Sequence, residues 1–367
     1  MEIKLIENKT IWDEFFISVG SPSFHHAWEW GDFQISQGRE IMRLGLYKGS
    51  DLEAIALVVK IRSKRGDYLL IPHGPIFNIK TTKLTAVIPD NKKEEVMVQL
   101  KEIINYLKII SQKENYAFIR VAPIFNRDSF HDNLMKSAGL RTAPIYIHAE
   151  TMLVIDLIKS EDEILNNMRK NHRYYIRKAI REGLAVTKHT NPETFDDFWE
   201  LYKKTADREN FIPYSKSYID QEFRTFNKYN NAIYFISGFH NSPENMIPPK
   251  FAQEGLSKKI AGSLVLFTDS SGFYHQGASV HTQYPAAYLL QWESILEAKK
   301  RGCQFYSLHG IYDPGRTPKA WQGLSLFKSG FGGFQVNYLY THDFVVSPLS
   351  YLYSFAVDKY LSFKRGI

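Results

Sequence analysis

A chain of 367 residues, 44% of them hydrophobic and 23% charged, exceeds what one compact core usually organises and predicts two domains. Its 46 Lys and Arg against 39 Asp and Glu leave a net charge of +7, which suits an anionic partner such as RNA, a nucleotide-linked sugar or a membrane surface without choosing among them. Cys303 is the single cysteine, so an intramolecular disulfide is excluded and a reducing compartment is expected. No apolar run approaches the ~18 residues that span a bilayer, and the charged start Met1-Glu2-Ile3-Lys4 does not read as a leader, so the expected location is the cytoplasm.

In chain order, Ile55 to Ile61 reads as a strand that turns through Ser63-Lys64-Arg65-Gly66-Asp67 and returns as Tyr68 to Ile71. Asp90 is placed to cap a helix whose apolar residues Val96, Leu100, Ile103, Ile104 and Leu107 recur at helical spacing, and Ala117 to Val121 supplies the next strand. A join is expected near His148-Ala149-Glu150. From Ser160 to Gly183 the pattern predicts one helix opened by a Ser160/Glu163 capping box, with Leu165, Met168, Ile176, Ala179 and Ile180 inward. Arg169, Arg173, Arg177 and Arg181 then fall at successive i,i+4 positions and form a cationic ridge. Such a ridge meets an RNA backbone or a phosphate-bearing acceptor, or else is a solvated face or a contact to acidic residues.

A second helix is expected from Pro192 to about Arg208, a third from Tyr218 to Phe226, and a strand from Ala232 to Ile236. Asn241-Ser242-Pro243 and Pro248-Pro249 exclude a long coiled-coil arm before Lys258. Ile260 to Phe267, a turn at Asp269 to Gly272, and Phe273 to Ala278 then repeat the strand–turn–strand order of the first half. A helix from Pro285 to Gly302 and a strand Phe305 to Leu308 complete the repeat. Two copies of strand, hairpin, helix and strand imply two related α+β domains.

Near the end, Phe327-Lys328-Ser329-Gly330-Phe331-Gly332-Gly333 sets one cation between two aromatic rings and strips side chains from the adjoining backbone. That composition can hold an anion on main-chain N–H groups and an ammonium; it can equally be a tight turn from helix to strand. Cys303 reads as a buried structural thiol at the start of a strand. The twelve histidines, His25-His26 among them, lack metal-ligand spacing, so no metal site is expected. A Walker loop, a dinucleotide fingerprint and a Gly-x-Ser-x-Gly elbow are absent from the sequence.

The order of several motifs resembles the Fem (FemABX) family of peptidoglycan aminoacyltransferases. These are Trp28-Glu29-Trp30-Gly31, Ile71-Pro72-His73-Gly74-Pro75, Met168 to Ala179, Tyr274-His275-Gln276-Gly277-Ala278-Ser279, Tyr288 to Glu293, Ala298 to Cys303, His309-Gly310-Ile311 and the Lys328 stretch. The resemblance implies an α+β fold of two GNAT-like acyltransferase domains related by internal duplication, in the shorter form without a coiled-coil insertion. It places one domain at 1–147, completed by a tail at 340–367, and the other at 148–339.

The resemblance further implies transfer of an amino acid from aminoacyl-tRNA to an amine on the stem peptide of a UDP-linked or lipid-linked muramyl precursor, with no cofactor beyond that co-substrate. The chain is expected to be monomeric and to allow a peripheral contact with the inner membrane face. Lys328, flanked by Phe327, matches the family lysine thought to stabilise the oxyanion; Arg208 inherits a diphosphate contact and Tyr274 a place in the acceptor cleft. Two departures weaken the phosphate contacts: Gln34 stands where many relatives have lysine, and His73 where they have arginine. Asp313 is a candidate general base. The rival readings are acyl-CoA-dependent N-acylation, against which the missing pyrophosphate-binding signature argues, and a non-catalytic RNA-binding protein using Arg169, Arg173, Arg177 and Arg181.

Overall fold

The structure is a computed structural model and describes residues 1–240 and 256–366; the Asn241–Pro249 expectation lies outside the described residues. The first stretch carries β1 (Glu2–Leu5), α1 (Lys9–Ser18), α2 (Trp28–Ser36), β2 (Ile41–Lys48), β3 (Asp51–Ile61), β4 (Tyr68–Pro72), β5 (Ile76–Phe77), β6 (Thr81–Thr82), β7 (Thr85–Ala86), α3 (Lys93–Glu114), β8 (Phe118–Ala122), α4 (Ser129–Ser137) and β9 (Arg141–Thr142). There follow β10 (Thr151–Asp156), α5 (Glu161–Asn167), α6 (Lys170–Arg181), β11 (Leu184–His189), α7 (Phe195–Glu209), α8 (Lys216–Asn227), β12 (Ala232–His240), β13 (Leu256–Phe267), β14 (Ser271–Ser279), α9 (Ala286–Lys300) and β15 (Phe305–Gly310). The chain closes with α10 (Trp321–Ser329), β16 (Phe334–Asn337), β17 (His342–Val345) and α11 (Pro348–Lys364).

Two compact units emerge: Met1–Met152 with Gly310–Ser325 and Gln335–Ile367, and Leu153–His309 with Leu326–Phe334. The 310–325 segment therefore clusters with the first unit, whereas the domain expectation assigned it to the second. The first unit is built on an eight-stranded sheet ordered β1-β2-β3-β4-β8-β17-β9, with β5 beside β3. β3 and β4 form an antiparallel hairpin, α3 follows, and β8 returns parallel to β4 from Tyr68↔Phe118 to Pro72↔Ala122. The second sheet is ordered β11-β12-β13-β14-β15-β10-β16. Its β13–β14 hairpin, α9 and parallel β15 repeat the same order. A parallel return needs a crossover helix, so α3 and α9 are equivalents. Among the described residues there is no long coiled-coil arm; the longest helix is α3, with 22 residues.

Local chemistry corrects two expectations. Asp90 opens a short 3-10 turn and pairs with Lys93 at 2.6 Å, and α3 starts only at Lys93. The single helix expected over Ser160–Gly183 is two, because Met168 is extended (ψ 151°) and the Arg169 N–H leaves the helical ladder to bond the Gly330 carbonyl at 2.9 Å. The capping box at Ser160 and Glu163 is present. Ile164 is buried in place of the expected Leu165, and Ile180 is half exposed.

Within the first unit, the C-terminal strand β17 pairs antiparallel with β8, and a buried ion cluster fixes it there. The Arg120 guanidinium grips Asp343 through two bonds of 2.7 and 2.8 Å and reaches Asp358 of α11 at 2.9 Å, while the Tyr351 hydroxyl donates to Asp343 at 3.0 Å. Arg120 and Asp343 are 2% and 0% exposed, so removing one partner leaves a buried charge unanswered. Asp343→Asn is expected to lower stability by about 3–5 kcal/mol in urea unfolding, a loss many times larger than that from a substitution at an exposed position.

Candidate active site

In the second unit, the ladder between β14 and β15 stops at Phe273↔Ser307, so the strands separate where Tyr274 and His275 begin. On the other edge of β14, Tyr274 pairs with Val265 and Gln276 with Leu264, leaving His275 as the extra residue of a bulge. Bulges re-aim side chains, and this one turns His275 Nε2 onto Oε1 of Glu222 in α8 at 2.9 Å. Glu222 is fully buried, and the ring of His309, a residue at φ +63°, stands 5.8 Å from that of His275. This acid–histidine pair was not singled out from sequence, since Glu222 lies 53 residues away on a helix that reads as ordinary. Burial pushes the Tyr274 hydroxyl up to about 12, against its bond with the Gln291 side chain. Gln291 also accepts from the Tyr306 hydroxyl at 3.2 Å. Gly277 is glycine because a Cβ there would lie 1.8 Å from the Tyr274 oxygen.

Lys328 sits in the last turn of α10, where the helix dipole favours a cation, and is only 5% exposed. Its Nζ lies 5.9 Å from the centre of the Tyr274 ring, at the outer reach of a cation–π contact. Burial lowers its pKa to about 7, so at neutral pH the amine is poised between its two forms. Phe327 joins an aromatic cluster rather than clamping the lysine: it meets Tyr288 at 5.2 Å and Phe331 at 5.2 Å, and its carbonyl bonds His172 Nε2 at 2.9 Å. The ring that faces Lys328 is Tyr274's, not a flanking phenylalanine.

The glycines beyond the lysine do not form an open anion cradle. A Cβ on Gly330 would fall 1.8 Å from the His172 ring, one on Gly332 2.9 Å from the Asn167 carbonyl, and one on Gly333 2.3 Å from the Val154 carbonyl. The N–H groups of Gly330, Phe331 and Gly332 bond the carbonyls of Phe327, Lys328 and Ser329. The tight-turn reading of this stretch is the one observed, and its glycines admit close packing.

The cationic ridge is shorter than expected. Arg169 precedes α6, and the Arg173 guanidinium caps the Asn166 and Met168 carbonyls at 2.8 Å each. Arg177 and Arg181 stay on the exposed face of α6, and Arg169 is exposed beside them in sequence. Arg208 bonds the Ser279 carbonyl and Glu209, at 2.8 Å, tying the end of α7 to the end of β14. Its carboxylate partner is the neighbouring Glu209.

In the first unit, Gln34 and His73 are 2% and 3% exposed. Gln34 accepts from Arg39, and His73 Nδ1 lies 2.6 Å from the Ser23 hydroxyl, so the side chains at the two positions of departure make internal bonds. His73 packs with His25 and His148 at ring distances of 4.7 and 5.1 Å, and among the described residues no group of histidines or acids is arranged to hold a metal ion. Asp313 is held by Arg127 at 2.9 Å and by the Thr151 hydroxyl at 2.7 Å. A carboxylate so engaged anchors its loop. Cys303 is buried, and burial pushes its thiol up to about 12, which leaves it inert.

A duplicated strand–hairpin–helix–strand unit is the architecture of a tandem GNAT-like fold. The fold matches FemX with a TM-score of 0.79 at 16% identity over 96% of this chain and 100% of that one. It also matches a tandem GNAT protein from the clavulanic acid biosynthesis pathway, with a TM-score of 0.53 at 8% identity over 95% of this chain and 99% of that one. The sequence model of the FemAB family matches residues 8–237 and 247–359, and the chain belongs to that family. Similar curated proteins include the lipid II:glycine glycyltransferase of Staphylococcus aureus strain USA300, 21% identical over 314 residues, covering 69% of this chain and 74% of that protein. That of Staphylococcus haemolyticus is 19% identical over 311 residues, covering 69% and 74%. The family and fold expected from the order of motifs are borne out.

The lowered Lys328 pKa has a signed consequence. Between about 7 and its ordinary 10.5 the unfolded chain binds more protons than the folded one, so stability rises with pH through that window; below 7 the buried ammonium is a constant cost. Lys328→Met is expected to raise stability at pH 6 and to flatten the rise between pH 7 and 10, as read by urea unfolding at the two ends.

Proposed function

We propose that the protein moves an aminoacyl group from aminoacyl-tRNA to an amine on the stem peptide of a muramyl precursor, the relatives being lipid II:glycine glycyltransferases. The observation that carries this reading is Lys328, desolvated in the last turn of α10 and facing Tyr274. In the reaction the amine lone pair forms a C–N bond to the ester carbon, and the tetrahedral oxyanion collapses as the C–O bond to the ribose breaks. One proton leaves the attacking nitrogen and one reaches the departing ribose oxygen. The ester is already activated, so alignment and charge stabilisation suffice and no cofactor is called for. The Lys328 ammonium meets the developing negative charge in a site where burial makes that interaction strong.

Arg177 and Arg181, with Arg169, are the exposed cations suited to the phosphates of the tRNA. The acceptor is soluble and UDP-linked or is lipid-linked, and the chain works as a cytoplasmic monomer. No helix among the described residues is long and apolar enough to cross a membrane.

The test is to incubate the protein with labelled aminoacyl-tRNAs and both acceptor forms, with and without ribonuclease, and to follow label into the peptide. Ribonuclease-sensitive labelling is the expected result; labelling from an acyl-CoA alone would move the protein to the other chemistry of this fold. Lys328→Met is expected to lower kcat about 10²–10³-fold with KM little changed. In the wild type, the limb of the rate profile that falls as pH rises through about 7 belongs to Lys328 and is lost in the variant. Arg177→Glu with Arg181→Glu is expected to raise the KM for tRNA several-fold and to shallow its salt dependence, leaving kcat intact.

A further inference from the structure

The last helix of the first unit, α11, carries its apolar side chains outward. Its buried residues are Tyr351, Ser354, Asp358 and Ser362, whereas Leu349, Leu352, Tyr353, Tyr360 and Phe363 are 85%, 65%, 59%, 64% and 81% exposed. At about 100° per residue, those exposed side chains and Ala356 fall within roughly 60° of a single line, and the buried residues occupy the opposite side. A surface helix ordinarily shows the reverse arrangement. The helix cannot roll to hide the stripe, because Asp358 is bound to Arg120 at 2.9 Å and Tyr351 to Asp343 at 3.0 Å. Ser354 also presses on Gly66, where a Cβ would lie 2.0 Å from its hydroxyl.

The exposed charges of α11 are of one sign, and the one acid of the adjoining turn, Asp67, is paired with Arg62 at 2.8 Å. Lys359 and Lys364 stand at the two margins of the stripe, Arg365 follows, and Lys64 and Arg65 lie exposed in the turn whose Lys64 carbonyl accepts from the Tyr353 hydroxyl at 3.3 Å. Asp358 is the only acid on α11, and it is turned inward to Arg120. A second copy of this chain docked on the same face would bring lysine margins against lysine margins with no outward acid on either helix to answer them. A negatively charged lipid surface accepts the apolar stripe and the flanking cations together.

We propose that α11 is an interfacial membrane-docking helix. Leu349, Leu352, Tyr353, Tyr360 and Phe363 enter the headgroup–acyl boundary of an anionic phospholipid bilayer, and Lys64, Arg65, Lys359, Lys364 and Arg365 meet the lipid phosphates. The inference rests on the face of α11 alone and stands apart from the acyl-transfer reading.

The test is co-sedimentation of the full chain with vesicles of phosphatidylcholine alone or mixed with phosphatidylglycerol, at low and high salt. Binding to the mixed vesicles is expected, at least tenfold stronger than to phosphatidylcholine and weakened by salt. Leu352→Ser with Phe363→Ser, and separately Lys359→Glu with Lys364→Glu, should each reduce it at least tenfold, with thermal unfolding unchanged because these side chains lie outside the packing. Failure of the wild type to sediment with anionic vesicles overturns the proposal, as does undiminished binding by both variants. A concentration-dependent dimer in light scattering that the serine variant abolishes, without vesicle binding, gives the face to a second copy instead. Transfer to a soluble acceptor, measured on the same samples, reports the catalytic reading separately.

Discussion

The ion pair between Arg120 and Asp343 joins residues 223 positions apart and decides how the chain closes. It seats β17 against β8 and, through Asp358, sets the rotation of α11. The segment carrying Lys328, 326–334, is flanked in sequence by 310–325 and 335–367, both of which belong to the first unit. The position of the lysine along the chain is thus bracketed by two anchored stretches. Asp313 serves the first through Arg127 and Thr151, and Asp343 the second through Arg120. These carboxylates work as structural counter-charges, each buried with a guanidinium that satisfies it.

The chemistry of the second unit follows from desolvation. Tyr274 and Tyr306 are held far from ionisation by burial, and burial brings Lys328 down to about 7. The ring cluster of His172, Tyr175, Tyr288, Phe327 and Phe331 stiffens the end of α10 that carries it. Close packing also accounts for Gly330, Gly332 and Gly333, since each meets an atom that a side chain would strike. Glycine composition has two physical causes, ligand approach and backbone crowding, and only contacts distinguish them.

The duplicated order of hairpin, helix and strand was legible because it is written locally, in continuous apolar runs bounded by turn residues for β3 and β13 and in helical spacing for α3 and α9. Lys328 was singled out through the order of motifs, and the structure buries it at the end of α10. What sequence did not show depends on tertiary competition. The break between α5 and α6 arises because a carbonyl from Gly330 captures the Arg169 amide, more than 150 residues away in sequence, and periodicity has no access to such a partner. The capture of Gln34 by Arg39 is local but depends on rotamers. The Glu222–His275 pair needed knowledge of a bulge that alternation alone conceals.

The return of the chain to its first unit has a consequence for synthesis. The sheet built from β1 to β9 lacks β17 until residues 342–345 have been made, so Arg120 waits on more than 200 residues for its carboxylate. Most of the second unit is one continuous run, 153–309, and is made before that strand. Domains fold as they emerge, yet here the half that leaves the ribosome first is the half completed last. During that interval the edge of β8 is open, and an unpaired strand edge is where a nascent chain is most exposed to wrong pairing.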